Sequence, residues 1–446
     1  MASESDAGAL ASPLSLLLEA ASRGEEAEEV LLLSYTLDLG FFERAALGVA
    51  QSLGARVTVV GDAAMVSHDP WAVRRAGRGY VAGLAACSGA FHPKLVIIGG
   101  PGGVTVAVGS GNLTMAGWQA NHELWTVLRG SPEAAPTTLG ELAGWLRGLP
   151  TGVHFSRGVG AAFDRVATLL EAFEPTESGP RLVSSLDGPI IEQLPEGPVD
   201  ELCVFSPFHD PTASALGRLI ELLAPQRVCV GVQPGLSVYD GPALAAVASR
   251  PGTEVIQVAS QRYRHGKLFE ASAGRRRWAL TGSPNCSAAA LLQRLGSGGN
   301  CELGLVADLD HTLMPTGSAL GAEALGTQPY RPRPASRPGI VVLGATRVDD
   351  GLEVVLARPM PMTGRVDIAG ADAQPGTWER VADVDAAVTT FVVARGVEGG
   401  ARLRVVGDGG AIEVESNTVF VLDPSRALRR SHATGEARRN TEPFDL

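Results

Sequence analysis

The sequence predicts an α/β chain built as two pseudo-repeated lobes with mixed, mostly parallel sheets, followed by a small all-β domain. Three observations carry that expectation. One set of polar residues recurs at matched offsets in the two halves, and a strand-helix-strand alternation precedes each copy. Beyond about residue 335, helix signals give way to closely spaced short strands.

The first copy reads AFHPKLVIIGGPGGVTVAVGSGNLTMAGWQANHELWTVL around residue 92. The second reads YRHGKLFEASAGRRRWALTGSPNCSAAALLQRLGSGGNCELGLV around residue 265. Each runs His-x-Lys-Leu, an apolar stretch, a Gly-rich or basic turn, a second apolar stretch, Gly-Ser-x-Asn, a small-residue helix and Asn-x-Glu. His92 to Asn112 and His265 to Asn285 are both 20 residues; Lys94 to Ser110 and Lys267 to Ser283 are both 16. Core histidines have no reason to recur with the same Lys, Ser and Asn offsets, so the constellation reads as a site rather than as packing.

The copies stand 173 residues apart, preceded by EEVLLLSYTLDLGFFERAALGVAQSLGARVTVVGD and by DELCVFSPFHDPTASALGRLIELLAPQRVCVGV. Each reads as a buried strand, a helix with 3.6-residue apolar periodicity and another strand. Within each motif, KLVIIGG turning into VTVAVGS and KLFEASA turning into WALTGS predict hairpins. Strand alternation would then set His92 with Lys94, and His265 with Lys267, on one face. The expected organisation is an N-terminal extension over 1–24, a first lobe over 25–165 and a second over 166–325. A Pro-rich linker over 326–338, a β-sandwich-like domain over 339–424 and a polar tail over 425–446 complete it.

The chain's length of 446 residues suggests two or three domains, and 45% hydrophobic with 19% charged residues fits a soluble globular protein. A formal charge of −11 excludes chain-wide attraction to phosphate and leaves any such role to a local patch. Five cysteines, Cys87, Cys203, Cys229, Cys286 and Cys301, are odd in number and show no C-x-x-C pair, which argues against a disulfide framework and a zinc site. The first thirty residues lack a basic leader and a cleavage site, and no apolar stretch reaches the roughly 20 residues that span a bilayer. A cytoplasmic location is expected.

A phosphodiester repels nucleophiles, so cleaving it needs positive charge, fixed donors, a nucleophile and an acid for the leaving oxygen. Two sets of His, Lys and Asn supply all of these. One imidazole can attack phosphorus while the other protonates the leaving group and then activates water. Lys94, Lys267, Asn112 and Asn285 would hold the non-bridging oxygens, with Ser110 and Ser283 placed to help. Glu123 and Glu302 are the candidates for fixing the imidazole tautomers. No metal and no cofactor are expected. GSGNLT is not a dinucleotide loop, since G-x-G-x-x-G would need Gly where Thr114 stands. His122, His209 and the stretch Asp308 to His311 have no partner at diagnostic metal spacing.

H-x-K followed by G-S-x-N, twice in one chain, resembles the phospholipase D superfamily over roughly residues 25 to 310. The resemblance implies two lobes packed about a pseudo-twofold axis, with both motifs in one cleft. It also implies His92 as the nucleophile, through a phosphohistidine, and His265 as the general acid. The usual pattern H-x-K-x-x-x-x-D is broken, because Gly99 and Ser272 stand where the Asp belongs. Loss of that Asp with retention of Asn resembles the tyrosyl-DNA phosphodiesterase and nuclease branches more than the lipases. Arg262, Tyr263 and Arg264 beside motif two are the candidate substrate contacts, able to track a phosphate backbone and stack on a base. A nuclease or end-processing phosphodiesterase acting on DNA or RNA is therefore expected. The alternatives are a phospholipase or phosphatidyltransferase, and a non-catalytic nucleic-acid-binding subunit. The resemblance permits helicase or defence-system partners, and a two-motif monomer suffices for one active site.

Overall fold

The computed structural model describes residues 12–259, 261–327, 330, 339–410 and 412–428. The first lobe contains β1 (Glu29–Ser34), β2 (Arg56–Asp62), β3 (Val81–Cys87), β4 (Leu95–Gly100), β5 (Gly103–Gly109), β6 (Trp125–Gly130) and β7 (Val153–Phe155). The second contains β8 (Arg181–Ser184), β9 (Glu201–Phe205), β10 (Arg227–Val232), β11 (Thr253–Val258), β12 (Leu268–Ala273), β13 (Arg276–Gly282), β14 (Leu303–Asp308) and β15 (Gly317–Ala319). The first sheet runs β6-β5-β4-β1-β2-β3-β7 and the second β15-β11-β10-β9-β12-β13-β14-β8, so six strands repeat in the same spatial order. In each, three parallel strands are flanked by antiparallel ones. The architecture is therefore two pseudo-repeated α/β lobes.

Local sequence explains the layers. Every residue of β1 is buried, with Val30 and Leu32 in one core and Leu31 and Leu33 in the other, as a parallel strand covered on both faces requires. Helix Arg157–Glu171 covers one face through Val159, Phe163, Val166 and Leu170, spaced at three and four residues. Asp38 caps helix Leu39–Ala45 by accepting from Phe41 N at 2.9 Å. In the second lobe Asp210 accepts from Ser214 N at 2.7 Å and Ala215 N at 3.0 Å at the start of helix Ser214–Leu223.

Several expected boundaries fall inside ordered elements. Residues 13–22 of the N-terminal extension form a helix whose Leu16, Leu17 and Ala20 enter the first lobe's core, and residues 1–11 lie outside the described residues. The expected break at 165 lies inside helix Arg157–Glu171. The linker begins at the end of helix Ala322–Gly326, and 328–329 and 331–338 are outside the described residues. The tail opens with helix Pro424–Ala427, whose Ala427 is buried in the core of the first lobe; 429–446 are not described. Among the described residues, no helix is long and apolar enough to cross a membrane.

The C-terminal region is all β: β16 (Val342–Val348), β17 (Gly351–Leu356), β18 (Gly364–Ala369), β19 (Glu379–Val384), β20 (Thr390–Val393), β21 (Arg402–Asp408), β22 (Glu413–Glu415) and β23 (Val419–Leu422). Its order is β19-β18-β21-β23-β16-β17-β20, with β22 on β21. One continuous core joins Val342, Leu343, Phe420 and Val421 to Phe42, Tyr80 and Leu84 of the first lobe, so the region packs against that lobe. Arg402, fully buried, clamps the junction. It donates to Pro70 O at 2.8 Å and Val73 O at 3.0 Å in the first lobe, and to the carbonyls of Gly370 and Ala371 at 3.1 Å. Gly77, at φ +76°, completes the fit, since a Cβ there would lie 2.2 Å from Val421 O.

Candidate active site

The His-x-Lys motifs were expected on strands, but β4 begins at Leu95 and β12 at Leu268. Each motif is the extended segment just before its strand, and it pairs with the other lobe. His92 N donates to Cys301 O at 2.9 Å and Cys301 N to Ala90 O at 2.8 Å. Reciprocally, His265 N donates to His122 O and His122 N to Tyr263 O, both at 2.8 Å. Thus each histidine segment is zipped to the Asn-x-Glu segment of the opposite lobe. A carboxylate or amide at the end of the second parallel strand anchors the preceding residue: Phe91 N donates to Asp62 Oδ2 at 2.7 Å, and Arg264 N to Gln233 Oε1 at 2.8 Å.

This zipper crosses the imidazole-carboxylate pairs. His92 Nδ1 lies 2.9 Å from Glu302 Oε2, and His265 Nδ1 lies 3.0 Å from both Glu123 oxygens. Each glutamate is fixed within its own lobe. Ser110 Oγ donates to Glu123 at 2.5 Å and Asn121 Nδ2 at 3.1 Å; Ser283 Oγ and Asn300 Nδ2, the latter at 3.0 Å, do the same for Glu302. Ser110 and Ser283, expected beside the phosphate, are fully buried, and their hydroxyls are spent on the glutamates and on Leu124 N and Leu303 N. They position the carboxylates instead.

Burial pushes both imidazoles down to about 4, with Glu302 and Glu123 opposing and the lysines assisting. Burial works against ionising the glutamates, yet the imidazoles, the lysines and the serine donors hold both carboxyls below their ordinary range. The consistent resting state is two carboxylates and two neutral imidazoles, with the proton on Nδ1 and a lone pair on Nε2. Lys94 and Lys267 are fully buried, and each Nζ donates to the carbonyl of its own histidine at 2.7 Å. Burial lowers both, Lys267 to about 8.

The asparagines differ. Asn112 Oδ1 accepts from Thr36 N at 3.3 Å, whereas Asn285 Oδ1 is buried with no hydrogen-bond partner. Arg262 is exposed and Arg264 half-buried; both bear on His122, whose pKa falls through burial first and then their charge. The Tyr263 ring lies 5.6 Å from that of His265.

Sequence reasoning missed several supports. Tyr35 packs its ring 4.7 Å from His92 and 5.3 Å from Lys94 Nζ, and Phe208 lies 6.2 Å from His265. Ser34 Oγ and Ser206 Oγ receive Leu113 N at 2.8 Å and Cys286 N at 3.0 Å, the residues after the two site asparagines. The signal was present as SYTLD and SPFHD, a second repeat of Ser and Asp four residues apart.

No family model and no curated protein matches the chain. Among solved structures, yeast tyrosyl-DNA phosphodiesterase aligns with a TM-score of 0.45 at 12% identity, covering 63% of this chain and 82% of that one. Phosphatidylserine synthase from Haemophilus influenzae Rd KW20 aligns at 0.42 and 10% identity, covering 71% and 82%. Polyphosphate kinase from Porphyromonas gingivalis aligns at 0.36 and 12% identity, covering 70% and 52%.

Proposed function

We propose that this chain is a phosphodiesterase of the phospholipase D superfamily that cleaves nucleic-acid phosphodiester bonds through a phosphohistidine. The observation that carries the reading is the crossed arrangement of two His-Glu pairs with two buried lysines. His92 Nε2 attacks phosphorus, the P–O bond to the leaving group breaks, and His265 delivers a proton to the departing oxygen. Water then attacks the phosphohistidine, His265 takes its proton, and the P–N bond breaks. A bound phosphodiester adds negative charge beside the two buried lysines, and it raises the proton affinity of His265 so that it can serve as acid. The lysines provide the cationic charge that the reaction needs, so the scheme uses no metal.

Arg262, Tyr263 and Arg264, adjoining His265, favour a nucleic-acid strand over a lipid. A lipid substrate is the second reading, favoured by exposed Met115 (60%) and Leu236 (47%), each three residues beyond Asn112 and Gln233. One chain carries both motifs, so the scheme is complete in a monomer, and a helicase or defence partner would add delivery of the strand. Incubation with labelled single- and double-stranded DNA and RNA in EDTA, beside His92→Ala and a phosphatidylcholine assay, decides. Strand cleavage lost in the variant supports the proposal. Lipid turnover alone overturns the substrate, and silence in both arms favours a binding subunit.

A further inference from the structure

Cys203 and Cys229 face one another as register partners on the parallel strands β9 and β10. Neighbouring strands run about 4.8 Å apart, inside the Cα separations of about 4.4–6.8 Å that a disulfide bridges. The pair belongs to a row across the sheet, with Glu254 opposite Cys229 and Glu270 opposite Cys203. Leu309 and Met314 pack with Cys229 against the small core of Phe205 and Leu268. Both thiols are free, and neither belongs to the site above.

The two are unequal. Cys203 is buried, whereas Cys229 is half-buried and reaches solvent. The proximity of the two sulfurs, with burial, pushes the Cys203 thiol up, and the Cys203 neighbour draws Cys229 below the ordinary thiol range. An accessible sulfur favoured as thiolate, next to a buried partner thiol, is the arrangement in which an oxidised cysteine is resolved by its neighbour.

We propose that Cys229 and Cys203 are a redox pair, in which a hydroperoxide oxidises Cys229 and Cys203 closes a reversible disulfide between β9 and β10. The Cys229 thiolate attacks a peroxide oxygen and the O–O bond breaks. Two electrons pass from sulfur to the peroxide, and with one solvent proton the products are a sulfenic acid and water, or an alcohol when the hydroperoxide is organic. The Cys203 sulfur then attacks the sulfenic sulfur. The S–S bond forms, the S–O bond breaks, and the hydroxyl leaves with the Cys203 proton as a second water. Parallel strands hold the Cβ atoms at about their own spacing, wider than the ~3.8 Å of a relaxed disulfide, so the bond is strained and easily reduced. The pair also sits at the root of two supports, since β9 leads into Ser206 and β10 into Gln233.

The test is graded hydrogen peroxide on the reduced full chain, read by intact mass and peptide mapping. The expected result is a loss of about 2 Da, one linked peptide pair holding Cys203 and Cys229, and reversal by dithiothreitol. Cys203→Ser should stop at a sulfenic acid on Cys229 that dimedone captures, and Cys229→Ser should give neither product. Both cysteines remaining alkylatable after peroxide, or a bridge formed by other cysteines, overturns the proposal. The wild-type mass readout decides even if a variant misfolds, and it is independent of phosphodiesterase activity.

Discussion

Glu302 accepts from His92 Nδ1 at 2.9 Å although 210 residues and a lobe boundary separate them, and Glu123 repeats the relationship with His265 across 142 residues. Each imidazole-carboxylate pair is therefore completed only where the two lobes meet. The backbone zipper at Cys301 and His122 holds the two lobes in that register.

The crossing predicts which histidine each glutamate serves. Glu302→Gln should act like a lesion in His92, slowing attack on every substrate by about 10²–10⁴-fold, since an amide donating to Nδ1 forces the unproductive tautomer. Glu123→Gln should act like a lesion in His265. Its defect should shrink on a p-nitrophenyl phosphodiester, whose leaving group needs no proton. Initial rates of both variants on a natural and an activated substrate make the measurement, and a defect of equal size in both would contradict the assignment.

The asparagines predict a split between stability and rate. Asn112→Ala strands the Thr36 amide and should cost about 1 kcal/mol in urea unfolding. Asn285→Ala removes a carbonyl oxygen that has no partner, so it should leave stability within about 0.5 kcal/mol while still lowering kcat.

The repeat was legible because its chemistry recurs at fixed offsets, and the hairpins β4-β5 and β12-β13 followed from apolar runs broken by Gly-rich or basic turns. The crossing was not legible, because offsets within a lobe carry no information about which carboxylate reaches which imidazole. Ser110 and Ser283 were misplaced for a related reason. A hydroxyl beside an active-site asparagine suits phosphate or carboxylate equally, and only the pairing of β5 with β6 and of β13 with β14 turns it to the glutamate. Arg402, in the alternating run ARLRVV, reads as an outward-facing strand residue until the loop at Pro70 to Val73 covers it.

That covered guanidinium predicts the cooperativity of the fold. Arg402→Ala leaves the carbonyls of Pro70, Val73 and Ala371 short of a donor at the seam of the first lobe and the β region, while Gly370 O keeps Ala373 N, so stability should fall by about 3 kcal/mol. Because the core is continuous, far-ultraviolet circular dichroism and tryptophan fluorescence should report one shared transition for the two regions. A separate early transition of the β region would argue against a single unit.

The histidines set the acid limit of stability. Both are held at about 4 in the folded chain, against an ordinary value of 6.5. The unfolded chain therefore binds protons on them before the folded chain does. Their stabilising contribution is full above pH 6.5, falls as pH drops towards 4, and is gone below that. Between pH 7 and pH 5 the loss should be roughly 2 kcal/mol per histidine, seen as a falling urea midpoint at constant slope. Lys267, held at about 8, acts in the same direction at the other end, so stability should rise as pH passes from 8 towards 10.5. His265→Gln should flatten the acid limb by about half, because one of the two depressed imidazoles is gone. An unchanged acid limb in that variant would mean that the titrating groups lie elsewhere. Substrate analogues reverse the sign of the effect at the site: a bound phosphodiester anion stabilises the imidazolium, so its protection against urea should grow as pH falls from 7 to 5.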